Sequence, residues 1–459
     1  MRILLIQPNS SHKMVGYTSL VRTEPLALEI IAAAVSGHEV KILDLRVDPT
    51  PLEAALASFR PQVIGTTGYT TDVPRMKAIC REVKELDPEI ITVVGGVHAS
   101  LCPQDFQIPW VDVIVIGEGE STFRELIQAL ESHEDLTAIP GLCFRRDGES
   151  IATRVRIPAH DLDSLPLPAR YLTDQYREHY HFHFWENPYV VETARGCPFR
   201  CTFCSVWMFH QGKCRFRTPE KVLEDLERVK SDTVCFVDDN FLQNVRRAEH
   251  LHHLIKEAGI KARYWMQARA DTIAKRPDVI KKWAGIGLSA VLVGFEKFRQ
   301  EELVSVNKRT TVEINERAMD VLHRYGVDMW GSFIVDPQWS KLDFEALIDY
   351  VRRMKICFPT FTILTPLPGT IFFQEKLQEL VTMNYELFDF LHTVLPTALP
   401  IEEFYSNMAS LYANTTMGWG ELKKRIKAGK IPVSALQRVR DLLKDVTSPE
   451  AYLRSLESS

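Results

Sequence analysis

Residues 194–204 read Ala-Arg-Gly-Cys-Pro-Phe-Arg-Cys-Thr-Phe-Cys, ARGCPFRCTFC, and the spacing of the three cysteines organises the rest of the chain. Cys197, Cys201 and Cys204 follow directly on the strand-like run YVVET, Tyr189 to Thr193. With nine cysteines in 459 residues, a chance C-x3-C-x2-C is expected roughly 0.004 times per chain. Three thiolates on one loop can each hold one iron of a cubane [4Fe-4S] cluster. No fourth cysteine stands at a matching spacing, so one iron is left to take an exogenous chelating ligand. A zinc site would want a second C-x2-C or a histidine pair nearby; Cys214 alone offers a fourth ligand.

Outward from the loop, the composition is that of an ordinary soluble globular protein, 45% hydrophobic and 25% charged. The length predicts two or three domains. A net charge of -5 with scattered Lys and Arg leaves no footprint for nucleic acid. The apolar run Met1–Ile6 is too short for a signal peptide, and no stretch approaches the ~20 apolar residues of a transmembrane segment. Thinly spread cysteines, odd in number, point to reduced thiols in the cytoplasm rather than to disulfides. A peripheral position at a membrane surface is left open.

The chain divides into four parts on pattern. In residues 1–140, the buried-strand runs RILLIQP, EVKILDL, VIGTTG, ITVVGG and DVIVIG alternate with helical periods over 25–35, 52–59, 73–86 and 122–130. Strict alternation predicts an α/β, doubly wound, Rossmann-like parallel sheet that takes its ligand at the carboxyl ends of the strands. The loops there are 7–25, 66–72, 95–100 and 117–121. Gly95 and Gly96 would let backbone approach a flat or phosphate-bearing ligand, and Thr66, Thr67, Thr70 and Thr71 supply hydroxyls. Residues 141–188 read as a connection broken by prolines, with a small hairpin turning at Asp147-Gly148. Its end, YREHYHFHFWENPY (176–189), is expected to pack near the mouth of the next domain. His179, His181 and His183 share a face if extended, but packing is preferred over metal binding. Residues 189–375 hold six strand–helix units, too few for a closed eight-fold barrel, and predict a partial, open (β/α)6 barrel of the TIM type with its chemistry at the carboxyl ends of the strands. Polar groups cluster there: Asp238, Asp239 and Asn240; Gln267 and Arg269; Glu296. Arg215 and Arg217 are expected at the surface or between domains. Residues 376–459 read as a helical segment with helices over 375–383, 387–391, 401–412 and 421–428, and a frayed end.

The cysteine motif resembles the signature of the radical S-adenosylmethionine (SAM) enzymes. That resemblance implies that the open iron binds the amino and carboxylate groups of SAM and that the reduced cluster cleaves it to a 5′-deoxyadenosyl radical. It also implies roles for Phe203 beside the adenine, Asp238 and Asp239 at the SAM amino group, Gln267, Arg269 on the SAM carboxylate, and Glu296 on the ribose. Gly331 and Phe333 would pack on the adenine side. The first domain resembles the cobalamin-binding domain of one large radical SAM subfamily, on the strength of VVGGVHAS, GTTGYTTD and VIGEGESTFREL. The cofactor contacts this implies are Thr66, Thr67, Tyr69, Thr70, Gly95, Gly96, Val97, His98, Gly117 and Glu118. The D-x-H-x-x-G motif is absent, and neither His12 nor His98 has its context. Cobalamin is therefore expected without a histidine under the cobalt, Tyr69 being the candidate to cap that face.

These resemblances imply a cobalamin-dependent radical SAM methyltransferase acting on an unactivated carbon of a small molecule. The stretch FLHTVLPTALPIEEFY (390–405) is similar to hopanoid C-3 methylases, which favours a hydrophobic polycyclic, lipid-like substrate. A reductant protein such as flavodoxin or ferredoxin is the implied electron source. Two alternatives stay open: a cyclase or rearrangement enzyme using the same cofactors, and a non-catalytic iron–sulfur or zinc binding module.

Overall fold

The computed structural model describes residues 1–9, 11, 15, 20–146 and 148–457. Its first sheet begins with five parallel strands, β1 (Arg2–Gln7), β2 (Glu39–Asp44), β3 (Val63–Thr67), β4 (Ile91–Gly95) and β5 (Val113–Val115), in the order β2-β1-β3-β4-β5. Successive residues of β1 go to opposite faces: Leu4 and Ile6 join one apolar cluster with helices Leu52–Phe59 and Val73–Leu86, Ile3 and Leu5 the other with helices Leu26–Ala34 and Gly119–Ser132. Burial on both faces is why the strand reads as an unbroken apolar run. Strand order reverses between β1 and β3, and the crevice at such a reversal is where doubly wound sheets take ligands. The hairpin β6 (Leu142–Arg146) and β7 (Glu149–Ala152) adds antiparallel to β5. The segment read as part of the connection thus extends the sheet and makes it mixed. Asp147 of its turn, His12 and the terminal Ser458 and Ser459 lie outside the described residues.

The second sheet is the open barrel. Six parallel strands lie in chain order: β8 (Tyr189–Val191), β9 (Thr233–Phe236), β10 (Arg263–Gln267), β11 (Leu288–Glu296), β12 (Asp328–Val335) and β13 (Phe358–Ile363). The last contains Pro359, tolerated because this is an edge strand, where one N–H of the ladder is not needed. Outward-facing Phe236, Tyr264, Met266, Val291 and Met329 pack under the helices in the largest core cluster. Inward-facing Val190, Cys235, Trp265, Ala290 and Trp330 form a separate cluster with Phe182 and Trp185.

That inner cluster corrects the expectation for the aromatic segment. It seals the floor of the barrel at the entry ends of the strands, not the mouth. His183 stacks on Trp330 with centroids 3.8 Å apart, and Phe182 meets Trp265 edge-on at 4.7 Å. Helices Trp419–Lys427 and Ala435–Val446 back it, since Phe184 packs with Leu422 and Ala435 and Glu186 accepts from Arg438 at 2.8 Å. His179 is exposed while His181 and His183 are buried, so the three share no face, and a left-handed backbone at His183 (φ 53°) turns the chain. The C-terminal region is helical, with Ile401–Thr415 and the further helix Pro449–Glu457. No helix runs over 387–391. One 3-10 turn, Tyr385–Leu387, is followed by irregular chain whose Asp389 accepts from the N–H groups of Leu391 and His392, both at 2.9 Å. Among the described residues no helix is long and apolar enough to cross a membrane.

Candidate functional site

The carboxyl ends of the parallel strands of both sheets face one cavity of about 560 Å³. From the first sheet come Thr66, Thr67, Tyr69, Gly95, Gly96, Val97, Gly117 and Glu118; from the barrel come Glu192, Arg195, Val206, His210 and Asp239. Gly96 is required where it stands: its φ is 98°, and a Cβ there would lie 2.4 Å from Thr67 Oγ1. The strand ends therefore present bare backbone and short hydroxyls, a floor suited to a flat ligand. Tyr69 rises from this floor with 71% of its surface exposed, its loop closed by the Tyr69 N–H donating to Asp72 Oδ2 at 2.8 Å.

Two expected contacts face elsewhere. The His98 ring is buried, with Nδ1 3.1 Å from Thr70 Oγ1 and Nε2 2.9 Å from Asp105, whose Oδ2 also accepts from Tyr385 at 2.8 Å. Neither His98 nor Thr70 lines the cavity; both belong to a satisfied polar chain behind it. Glu118 does line it, yet serves chiefly as a fastener between the sheets. It accepts from both Nη atoms of Arg215, one at 2.9 Å, and lies 3.5 Å from Arg195 and 3.6 Å from His210. Burial opposes its charge, but the hydrogen bonds from Arg215, with His210 and the Arg195 guanidinium close by, outweigh that and hold the carboxyl well below the usual range. Arg215 and Arg217 are buried, not superficial. Arg215 spans the two sheets, and Arg217 donates to the Leu165 and Pro166 carbonyls at 3.2 Å.

The cysteine loop is positioned by the aspartates after β9. Asp238 is 1% exposed. Its Oδ1 accepts from the N–H groups of Thr193 and Ala194 at 2.6 and 3.0 Å, and Oδ2 from the Thr193 hydroxyl. Both oxygens hold the chain that enters the loop, and Asp238 does not line the cavity, which sets it apart from the amino-group role assigned to it. Burial pushes its carboxyl up to about 6. Asp239 accepts from the Gly196 N–H at 3.0 Å and still faces the cavity. Gly196 has φ 86°, and a Cβ there would fall 2.1 Å from the Lys213 carbonyl oxygen, which explains the glycine before Cys197.

On the far side the loop docks on residues 306–309. Thr202 N–H donates to Val306 O at 3.3 Å, and Asn307 Nδ2 to Arg200 O at 2.7 Å. Arg269 lies over the Phe199 ring at 3.5 Å, bonds Asp271 through Nε at 3.0 Å and the Lys308 carbonyl through Nη2 at 2.8 Å. With Nε and Nη2 engaged, Nη1 is the nitrogen left for the SAM carboxylate expected there. Glu296, left-handed at φ 67° where β11 shifts register, accepts from Lys308 Nζ at 2.7 Å. Gln267 and Phe203 are part-buried. Lys308, Phe199 and Arg195 were not singled out from sequence, and no spacing marks them; they enter through tertiary contact alone.

Burial raises all three loop thiols, Cys204 to about 12. Each is opposed further by a neighbouring loop thiolate or acid, and eased at Cys197 by Arg269 and at Cys201 by Lys308. Such thiols stay protonated until a cation replaces the proton. Four-coordinate zinc would hold its sulfurs about 3.8 Å apart. Among the described residues the one group of three Cys, His or acid ligands within 4.8 Å is His98, Cys102 and Asp105, away from the loop. The three loop thiols do not all lie within 4.8 Å of one another. Cys214 donates to the Gly196 carbonyl at 3.1 Å, a structural role.

Comparison with known proteins accords with this geometry. Residues 13–127 match the B12 binding domain and residues 191–351 the radical SAM superfamily. The chain is similar to the hopanoid C-3 methylase of Methylococcus capsulatus, 28% identical over 440 residues, covering 93% of this chain and 83% of that protein. It is similar as well to an uncharacterized methyltransferase of Pyrococcus horikoshii, 29% identical over 429 residues, covering 89% and 90%. The fold is shared with the radical SAM methyltransferase TsrM of Kitasatospora setae, solved with cobalamin and a [4Fe-4S] cluster bound, at a TM-score of 0.71 and 17% identity over 100% of this chain and 99% of that one.

Proposed function

Because the chain belongs to the radical SAM superfamily and carries a B12-binding domain ahead of its radical SAM domain, we propose that it is a cobalamin-dependent methyltransferase acting on an unactivated carbon. The observation that carries this reading is the single cavity faced by both the glycine-rich strand ends and the barrel mouth beside the cysteine loop. When bound, the cluster with SAM supplies a hydrogen-abstracting radical and cobalamin supplies the methyl group. Every other part is played by side chains of this chain.

Cys197, Cys201 and Cys204 would hold three irons of the cluster, on a loop kept in place by Asp238, Asp239 and the 306–309 segment. Gly95, Gly96 and Gly117 would let the corrinoid lie against backbone, and Tyr69, lining the same cavity, would contact it. Asp239, Gln267, Arg269 Nη1 and the Glu296–Lys308 pair are the polar groups left for SAM. Arg195, Arg215 and Glu118 fix the spacing of the two sheets, and that spacing sets the distance between radical and methyl donor, on which reaction by proximity depends. Enclosure between domains keeps water from the reacting centre. The substrate we infer is a hydrophobic polycyclic, lipid-like molecule, and the electron donor a reductant protein such as flavodoxin or ferredoxin.

The test is product analysis. Protein loaded anaerobically with cluster and cobalamin, given SAM, reductant and a polycyclic triterpenoid, is expected to form S-adenosylhomocysteine and 5′-deoxyadenosine in equal amounts with a methylated lipid. Formation of 5′-deoxyadenosine with substrate conversion but no S-adenosylhomocysteine would favour a cyclase or rearrangement instead.

A further inference from the structure

The cysteine loop reaches the surface under a rim of cations that nothing in the methyl-transfer reading employs. Arg200, Lys213 and Arg309 are all exposed, and none forms an ion pair with an acid among the described residues. They make one patch. Arg200 offers its carbonyl to Asn307 Nδ2 at 2.7 Å, and Asn307 Oδ1 accepts from Arg309 Nε at 3.3 Å. On the other side, Arg200 Nη2 comes within 3.9 Å of the Cβ position at Gly212, next to Lys213, whose carbonyl abuts Gly196. The rim therefore encloses the segment carrying Cys197 and Cys201. Trp207 lies between rim and loop, with its indole N–H donating to Cys201 O at 3.1 Å and Arg200 5.8 Å over its ring. On a chain of net charge -5, unpaired cations gathered over one loop create a local field opposite in sign to the whole.

We propose that Arg200, Lys213 and Arg309 form the docking surface for an acidic one-electron carrier protein, which delivers its electron to the cluster across this edge of the loop. The inference rests on the cluster reading given above. Its charge logic is that of steered association: complementary potential raises the encounter rate and fixes orientation more than it adds affinity. In the transfer, an anionic flavin hydroquinone loses one electron and becomes the neutral semiquinone, and the oxidised cluster gains that electron. No bond is made or broken.

The experiment compares wild type with the double variant Arg200→Glu, Lys213→Glu, each loaded with cluster, by stopped-flow bleaching of the iron–sulfur absorbance. Two donors are used: reduced flavodoxin, and photoreduced deazariboflavin, which is small and uncharged. The variant is expected to react with flavodoxin about tenfold more slowly or worse, to lose the wild-type rate's decline with salt, and to match wild type with deazariboflavin. Equal rates with flavodoxin would overturn the proposal, as would an equal slowing with both donors. Failure of wild type to assemble any cluster would overturn the reading beneath it as well, and is distinguished by its iron content.

Discussion

Asp238 shows how a residue that reads as a cofactor ligand can be a structural one. Its carboxylate is buried on the loop entry, and burial carries its pKa to about 6, whereas an unfolded aspartate titrates near about 3.9. Between those values the folded chain keeps a proton that the unfolded chain has lost. Stability accordingly falls as pH rises through that window, by about 3 kcal/mol in all. Asp238→Asn keeps the shape and an acceptor for the Thr193 and Ala194 N–H groups while removing the charge. We expect it to gain stability over wild type at neutral pH and to gain nothing at about pH 4, as read from urea midpoints at both. Equal differences at the two pH values would contradict the assignment. The cysteine spacing was legible because three ligands on one loop need no tertiary information. The facing of His98, Asp238 and Arg269 was not, because a motif does not say whether a side chain points at a ligand or back into its own scaffold. Lys308 was invisible for the converse reason, being 107 residues from Cys201 in number yet among the charges nearest its thiol.

At the level of elements, period and breakers revealed the strands of the two large sheets and missed the two-residue strands outside them. The alternation of apolar runs with helices gave the doubly wound sheet and the six barrel units, since each strand's burial is written in its own residues. What pattern could not give was the end of the barrel at which YREHYHFHFWENPY lodges. That is decided by Trp265, Trp330 and Phe358, inward-facing near the entry ends of separate strands and in need of an apolar cover. Trp330 is the centre of this floor, stacked on His183 at 3.8 Å and on Phe358 at 4.6 Å. Trp330→Ala is expected to cost about 3–5 kcal/mol, measured by denaturant unfolding, with cluster assembly at the mouth retained in the protein that remains folded. Loss of the cluster without loss of stability would place the segment back at the mouth. The helix expected over 387–391 failed because apolar Leu387, Phe388 and Leu391 are buried by an Asp389 turn rather than by helical period.

Across the whole molecule, the two sheets are held at one spacing by buried ion pairs. Arg170, from the connection, donates to Glu24 before the first helix, to Asp225 of the barrel helix Pro219–Arg228 at 2.9 Å, and to the Val190 carbonyl of β8 at 2.9 Å. Arg170→Met would leave Glu24 and Asp225 buried with a main partner gone, which costs about 3–5 kcal/mol for a pair of this kind. We expect an early unfolding transition and poor corrinoid retention on gel filtration; unchanged unfolding would show that the domains do not depend on this fastener.

The account stands on a three-thiolate cluster on the loop beside the cavity and a corrinoid within it, and the visible spectrum of anaerobically loaded, desalted protein tests that most directly. Wild type is predicted to show the broad iron–sulfur absorption together with corrinoid bands, with about four irons per chain. Cys201→Ala is predicted to keep the corrinoid bands and lose the iron–sulfur absorption. Wild type that retains no corrinoid, or an iron–sulfur band that survives in Cys201→Ala, would contradict it.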